Sequence, residues 1–162
     1  MRVWHVILTA CLSALLAPLA QAATTVNCTA SAGGIAFGIY NPLSTLANTS
    51  TGTVKVTCNG SGTGSANVTV NVTLSTGSSG SYATRKMFSG ANTLNYNIYW
   101  STAYNQIIGD GSGGSFAGSA GPFVVPAGGS NFATGTFYGR IPASQDVAPG
   151  AYSDVIVVTV TY

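Results

Sequence analysis

The sequence predicts an all-β domain, on three observations. Apolar and polar residues alternate with a period of two along several stretches, whereas the spacing of an amphipathic helix is almost absent. Glycine, serine, asparagine and proline separate those stretches, as the turns of an all-β protein require. Two cysteines remain once a predicted leader is removed, which is the number needed for one disulfide.

The clearest strand is ANVTVNVTLST, in which Val68, Val70 and Val72 face one way and the asparagine and threonine residues between them face the other. GTVKVTC has the same pattern and places Cys58 on its apolar face. In chain order, strands are predicted at residues 34–40, 52–58, 66–74, 94–100, 131–141 and 151–162, with a short edge strand at 123–125.

The first 22 residues are predicted to be a secretory signal peptide. A short start carrying Arg2 precedes an apolar run and the triplet Ala20-Gln21-Ala22, which suits signal peptidase. Cleavage there leaves one domain, residues 23–162, which is long enough to bury a core. Export also brings the domain into an oxidising compartment, where we expect Cys28 and Cys58 to form a disulfide.

The predicted domain carries little charge and has no histidine or glutamate. Four basic and three acidic side chains give a net charge of 4 − 3 = +1, too little for nucleic-acid binding, which needs clustered lysine and arginine. The adjacent Arg85 and Lys86 are predicted to lie in a solvated turn. The charged residues are Lys55, Arg85, Lys86 and Arg140 against Asp110, Asp146 and Asp154.

The same composition argues against an enzyme and against a bound cofactor or metal. A serine nucleophile needs a neighbouring base, usually histidine, and the domain has none. Three aspartates give little scope for a paired-carboxylate hydrolase. Two sulfur ligands also fall short of the four that a structural zinc site requires. We therefore expect no catalytic residues, no cofactor and no small-molecule substrate.

Several motifs resemble the spore coat protein U family, which includes subunits of archaic, Csu-type chaperone-usher pili. They are CTASAGGIAFGIYNP, GTVKVTC, RKMFSGANTLNYNIYWS, GDG and FYGRIPASQDVAPGAYSDVIVVTVTY, which occur in this order from Cys28 to Tyr162. The resemblance implies an immunoglobulin-like β-sandwich that lacks its last strand. It also implies a secreted surface subunit with three partners: a periplasmic chaperone, an outer-membrane usher and other pilin subunits, one of which completes the sheet with a strand.

By this resemblance the last predicted strand is one wall of a groove that accepts a partner strand. Alternation places Ile156, Val158, Val160 and Tyr162 on one face, where the chaperone would pair with the strand and hold the terminal carboxylate. Leaving four such side chains exposed would forfeit roughly 6 to 12 kcal/mol, comparable to the stability of a whole domain. The free subunit is therefore expected to be unstable or prone to aggregate.

Three further readings stay open at this point. Only residues 23–27 precede Cys28, whereas an arm that fills a groove needs roughly nine to eleven residues; this favours a tip or capping subunit that accepts a strand without donating one. A small outer-membrane β-barrel would show similar alternation and a terminal aromatic strand. A stand-alone coat or adhesive domain would instead bind a sugar or a surface through Tyr99, Trp100 and Tyr104.

Overall fold

Two antiparallel sheets face each other in the computed structural model, which describes residues 23–162. The predicted leader, residues 1–22, lies outside the described residues. The described part contains one helical element, a 3₁₀ turn at Gly77–Ser79, and no helix that could cross a lipid bilayer. The larger sheet has the order β1 (Thr25–Gly33), β2 (Asn48–Ser61), β7 (Ser130–Ile141), β5 (Asn92–Tyr99) and β4 (Arg85–Ser89). The smaller sheet has the order β6 (Gly118–Pro126), β3 (Ser65–Leu74) and β8 (Val158–Thr161).

The alternation seen in the sequence builds the core between the two sheets. In β3 the valines are buried and the polar residues between them lie on the outer face. The inner faces meet in two apolar clusters, one around Leu74, Tyr96 and Phe137, the other around Val56 and Val125. The predicted all-β fold is confirmed, and the packing of two sheets face to face is that of a sandwich.

The predicted disulfide between Cys28 and Cys58 is also confirmed. The two residues lie directly opposite each other in the β1–β2 ladder, and Cys58 belongs to the second core cluster. The bond joins residues 30 positions apart in the chain and ties the first strand to its neighbour. A crosslink over a loop of this length stabilises the fold by about 3 to 4 kcal/mol in the chain-entropy account.

Three strands differ from the expectation. β1 was not predicted because most of its residues are small or polar, and the edge strand predicted at 123–125 extends further to become β6. The prediction of a solvated turn at Arg85 and Lys86 is wrong, since both residues lie in β4 and the Arg85 side chain is fully buried.

Of two other predicted strands, one is absent and one is present only in part. Residues 34–40 belong to no strand, and the stretch predicted at 151–162 forms regular pairs only in β8. Both stretches keep the predicted alternation, with Ile35, Phe37 and Ile156 packed against the core. Alternation reports burial on one face, but a strand also needs a neighbour that pairs with its backbone. Residues 34–40 and the stretch before Val158 therefore lack a regularly paired neighbouring strand within residues 23–162.

Candidate functional site

An apolar channel runs along one side of the sandwich, between residues 32–42 and residues 147–158. It consists of two adjoining cavities of about 380 and 590 Å³, which have Ile35, Phe37, Met87 and Tyr152 in common. We call this channel the side groove. The core side chains that line it are Leu74, Met87, Leu94, Tyr96, Ile98, Phe137 and Ile141.

Residues 34–40 form the first wall of the side groove. Ile35 and Phe37 lie over Gly139 of β7, where an added Cβ would come within 2.7 Å of both side chains, so glycine is needed for this close approach. None of residues 34–40 forms a backbone–backbone hydrogen bond within the part of the chain that the structure describes. Instead, side chains of β2 satisfy three carbonyls, since Asn48 Nδ2 donates to Phe37 and Ile39 and Ser50 Oγ donates to Ala36. The wall is therefore held by side chains of β2 and belongs to no sheet.

Residues 151–157 form the second wall, and only Ser153 and Val157 of it have backbone partners in the described chain. Ser153 exchanges two backbone hydrogen bonds with Phe88, of 2.8 and 3.1 Å, and the Ser75 N–H donates to the Val157 carbonyl at 2.9 Å. In an antiparallel ladder the residues between such pairs direct their N–H and C=O groups to the opposite side. Three residues of the wall are in this position: Tyr152, Asp154 and Ile156. None of the three has a backbone hydrogen bond within the described chain.

Two of the edge strands that border the side groove are unprotected. On the smaller sheet, the edge strand β6 carries Pro122 and Pro126, which cannot donate backbone hydrogen bonds. On the larger sheet, β4 carries two cations and is bridged to Ser153. By contrast, β1 and β8 contain neither proline nor charge, and both contribute residues to the groove lining. Natural sheets protect edges that must not pair, so these two edges are suited to pairing.

The four residues predicted for the groove wall are not equally placed. Ile156 and Val158 line the side groove. Val160 is half-buried and packs against both core clusters, so it supports the wall from inside. Tyr162 is 57% exposed and lines neither groove cavity. The opposite wall was not predicted from the sequence. The alternation of Ile35 and Phe37 indicated a strand, but alternation does not reveal which residues lack a backbone partner.

The Asp154 side chain connects the second wall to the elements next to it. Its Oδ1 accepts hydrogen bonds from the N–H groups of Ser78 (2.9 Å) and Val155 (2.8 Å), and its Oδ2 accepts one from the Tyr96 hydroxyl (2.8 Å). Burial, together with the hydrogen bond to Asp154, raises the pKa of Tyr96 far above its usual value. The Tyr96 hydroxyl therefore stays protonated and remains a donor at neutral pH.

Arg85 lies beneath the same region and is fully buried. Its Nε and Nη2 donate to the Ser75 carbonyl at 3.1 and 2.8 Å, Nη2 also donates to the Ile108 carbonyl at 2.7 Å, and Nη1 donates to Asn97 Oδ1 at 2.7 Å. All of these acceptors are neutral. Burial lowers the pKa of the guanidinium, but an arginine remains charged even then, so carbonyl dipoles must compensate for its desolvation.

The aromatic residues considered for adhesion lie away from the side groove. Tyr99 and Tyr104 meet edge to face, with ring centroids 5.4 Å apart, and the Arg140 guanidinium lies over Tyr104. Trp100 packs edge to face on the core residue Phe137. Within residues 23–162 no three histidine, cysteine, aspartate or glutamate side chains are grouped as metal ligands.

We predict that Arg85→Met lowers the free energy of unfolding by about 3 kcal/mol or more, because it leaves several buried acceptors without a donor. Urea denaturation of the oxidised protein measures the change. The control is Lys86→Met in the same strand, where a half-exposed side chain is replaced and a change below about 0.5 kcal/mol is expected. Equal effects of the two substitutions would contradict a structural role of the buried charge.

The fold is similar to a solved chain in the pre-assembly complex of CsuC and CsuE, a chaperone and a tip adhesion subunit from the archaic chaperone-usher Csu pili of Acinetobacter baumannii. The TM-score is 0.54 at 20% sequence identity, and the match covers 85% of this chain and 40% of that chain. This chain thus spans less than half the length of the chain it matches, and the likeness concerns the fold. No curated protein matches the sequence.

The family suggested by the sequence motifs is confirmed by a direct match. The family model of the Spore Coat Protein U domain matches residues 14–159, which is most of the sequence and includes both walls of the side groove. The chain therefore belongs to the Spore Coat Protein U domain family.

Proposed function

We propose that the side groove receives a β-strand from another protein. On this proposal the chain is a structural, non-catalytic subunit of a chaperone-usher pilus or of a related surface coat, exported through the periplasm to the cell surface. The observation that carries the proposal is a pair of walls, residues 34–40 and 151–157, which face each other across an apolar channel and have unpaired backbone groups within the described chain.

A strand is the occupant that matches both properties of the side groove. Its backbone would pair with the free N–H and C=O groups of Asp154 and Ile156 and continue along the open edge of β8. Its alternate side chains would enter the apolar channel between Ile35 and Val158. A compact small molecule would satisfy the cavity but leave the row of backbone groups unpaired.

The proposed partners follow from the family and from the fold. The solved complex that shares this fold joins a chaperone to a pilus subunit, and we propose equivalent partners here: a periplasmic chaperone, an outer-membrane usher and neighbouring subunits. Exposed aliphatic side chains beside one end of the side groove also support a protein contact, because such groups are seldom left in water. They are Ile39, Leu43 and Leu46, with 95, 89 and 77% exposure.

We further propose that this chain accepts a strand without donating one from its first described strand, as a tip or capping subunit would. Residues 25–33 pair along their whole length with β2 and are fixed by the disulfide at Cys28. A donor segment has to leave its own domain, and a segment held in this way is not free to do so. Electron microscopy of the purified chain should show no fibres; long fibres formed by the chain alone would contradict this role.

The strand-acceptor function is tested with a synthetic peptide of about eleven residues in which valine alternates with threonine, long enough to span such a groove. At a peptide concentration of 100 times Kd the oxidised chain should gain about 2.7 kcal/mol of stability, a rise in Tm of roughly 10 °C. Differential scanning calorimetry measures the rise.

Two adjacent residues of β8 provide the matched variants. Val158→Asp puts a charge into the side groove and should abolish the peptide effect, whereas Thr159→Asp changes the exposed outer face and should preserve it. If Val158→Asp fails to fold, Ile35→Asp tests the opposite wall. An unchanged Tm of the wild-type chain, or an equal rise in Val158→Asp, would show that the side groove is not the receptor.

A further inference from the structure

We infer that Asp154 and Ser75 are positioning residues that hold residues 153–157 in a strand-like shape while the side groove is empty. The inference rests on the proposed function, because it concerns how a receptor for a strand keeps its form before the strand arrives. In a complete sheet, backbone pairing with a neighbouring strand keeps a strand in shape. Here the two side chains would do part of this.

A wall that is paired on one side alone is expected to be mobile. Regular strand pairing in the smaller sheet ends at Val158, and residues 153–157 have backbone bonds only at Ser153 and Val157. Segments with few backbone bonds open at a low free-energy cost. A disordered wall would lower the affinity for an incoming strand, since only the ordered fraction of the molecules can bind it.

Asp154 connects the middle of this wall to two other elements. Through its Oδ1 it is bonded to the N–H of Ser78 in the 3₁₀ turn, and through its Oδ2 to the hydroxyl of Tyr96 in β5. Gly77 is what allows this approach, because an added Cβ there would collide with the Asp154 carboxylate and with Ile156. Gly77 also has a φ of +65°, which residues other than glycine rarely adopt.

Ser75 holds the end of the wall that is nearest to β8. Its N–H donates to the Val157 carbonyl at 2.9 Å, and its Oγ accepts from the Val157 N–H at 3.0 Å, so one residue satisfies both backbone groups of Val157. The Ser75 carbonyl in turn accepts two hydrogen bonds from the buried Arg85. The guanidinium also bonds to Asn97 of β5, so the wall is connected through Ser75 to the larger sheet.

The hydrogen bonds of Asp154 and Ser75 hold the wall and not the core between the two sheets. The Asp154 carboxylate joins the wall to the 3₁₀ turn through Ser78 and to β5 through Tyr96. The Ser75 hydroxyl oxygen accepts a hydrogen bond from the Val157 N–H of the wall itself. Removing the Asp154 carboxylate should therefore release the middle of the wall, and removing the Ser75 hydroxyl should release the Val157 N–H while the Ser75 N–H still donates to the Val157 carbonyl. Both changes should leave the two sheets and the disulfide intact. The empty chain would lose order at the wall, and the strand would have to restore that order on binding.

The test compares Asp154→Ala and Ser75→Ala with Asp146→Ala and Ser119→Ala. The control side chains are exposed, make no hydrogen bonds in the structure and lie outside the groove lining. Isothermal titration with the alternating valine–threonine peptide, well below Tm, should give a Kd at least tenfold higher for the first pair and unchanged for the controls. A substitution that affects only global stability would lower Tm without changing Kd.

Amide hydrogen exchange on the empty full-length domain gives a second readout that needs no peptide. The N–H groups of Ser75 and Phe88 both donate to wall carbonyls, and in Asp154→Ala they should exchange at least tenfold faster than in Asp146→Ala. Wild-type Kd values in both Asp154→Ala and Ser75→Ala, or unchanged exchange at Ser75 and Phe88, would overturn the inference and leave the acceptor function standing. If the wild-type chain fails to bind the peptide, the acceptor function fails, and exchange alone decides whether Asp154 orders the wall.

Discussion

Backbone pairing is the constraint on which the rest of this structure depends. Every N–H and C=O group in a sheet needs a partner, and the apolar face of each strand needs cover. Both needs are met through most of the sandwich but fail along one side, where residues 34–40 and 151–157 face an apolar channel. An incoming strand would meet both needs at once, which is why the open edges, the apolar lining and the alternation all favour the same occupant.

The edge strands of the two sheets differ in how well they are protected. At β6 the two prolines prevent another strand from pairing, and at β4 charge and the bridge to Ser153 have a similar effect. Next to the side groove, polar side chains such as Asp154 and Asn48 satisfy part of the backbone, which holds the walls in place. The molecule thus combines protected edges with one side that stays open and retains its shape, as a subunit must if it is to accept one partner and avoid others.

The all-β fold and the disulfide could be predicted from the sequence, because period-two alternation and paired cysteines report directly on burial and redox chemistry. The groove wall at Ile156 and Val158 came from the family resemblance. Neither route revealed the opposite wall at Ile35, because pairing partners far apart in the chain leave no local pattern. The burial of Arg85 was equally hidden: the acceptors that make it tolerable are mostly backbone carbonyls, which any sequence would supply.

The most direct test of strand acceptance by the side groove is an NMR structure of the oxidised domain with the isotope-labelled alternating peptide. If the side groove accepts a strand, peptide backbone protons should show interstrand contacts to the open edge formed by β8 and residues 152–156, with peptide side chains entering between Ile35 and Val158. Contacts at another edge, or a peptide that binds without forming a strand, would contradict it.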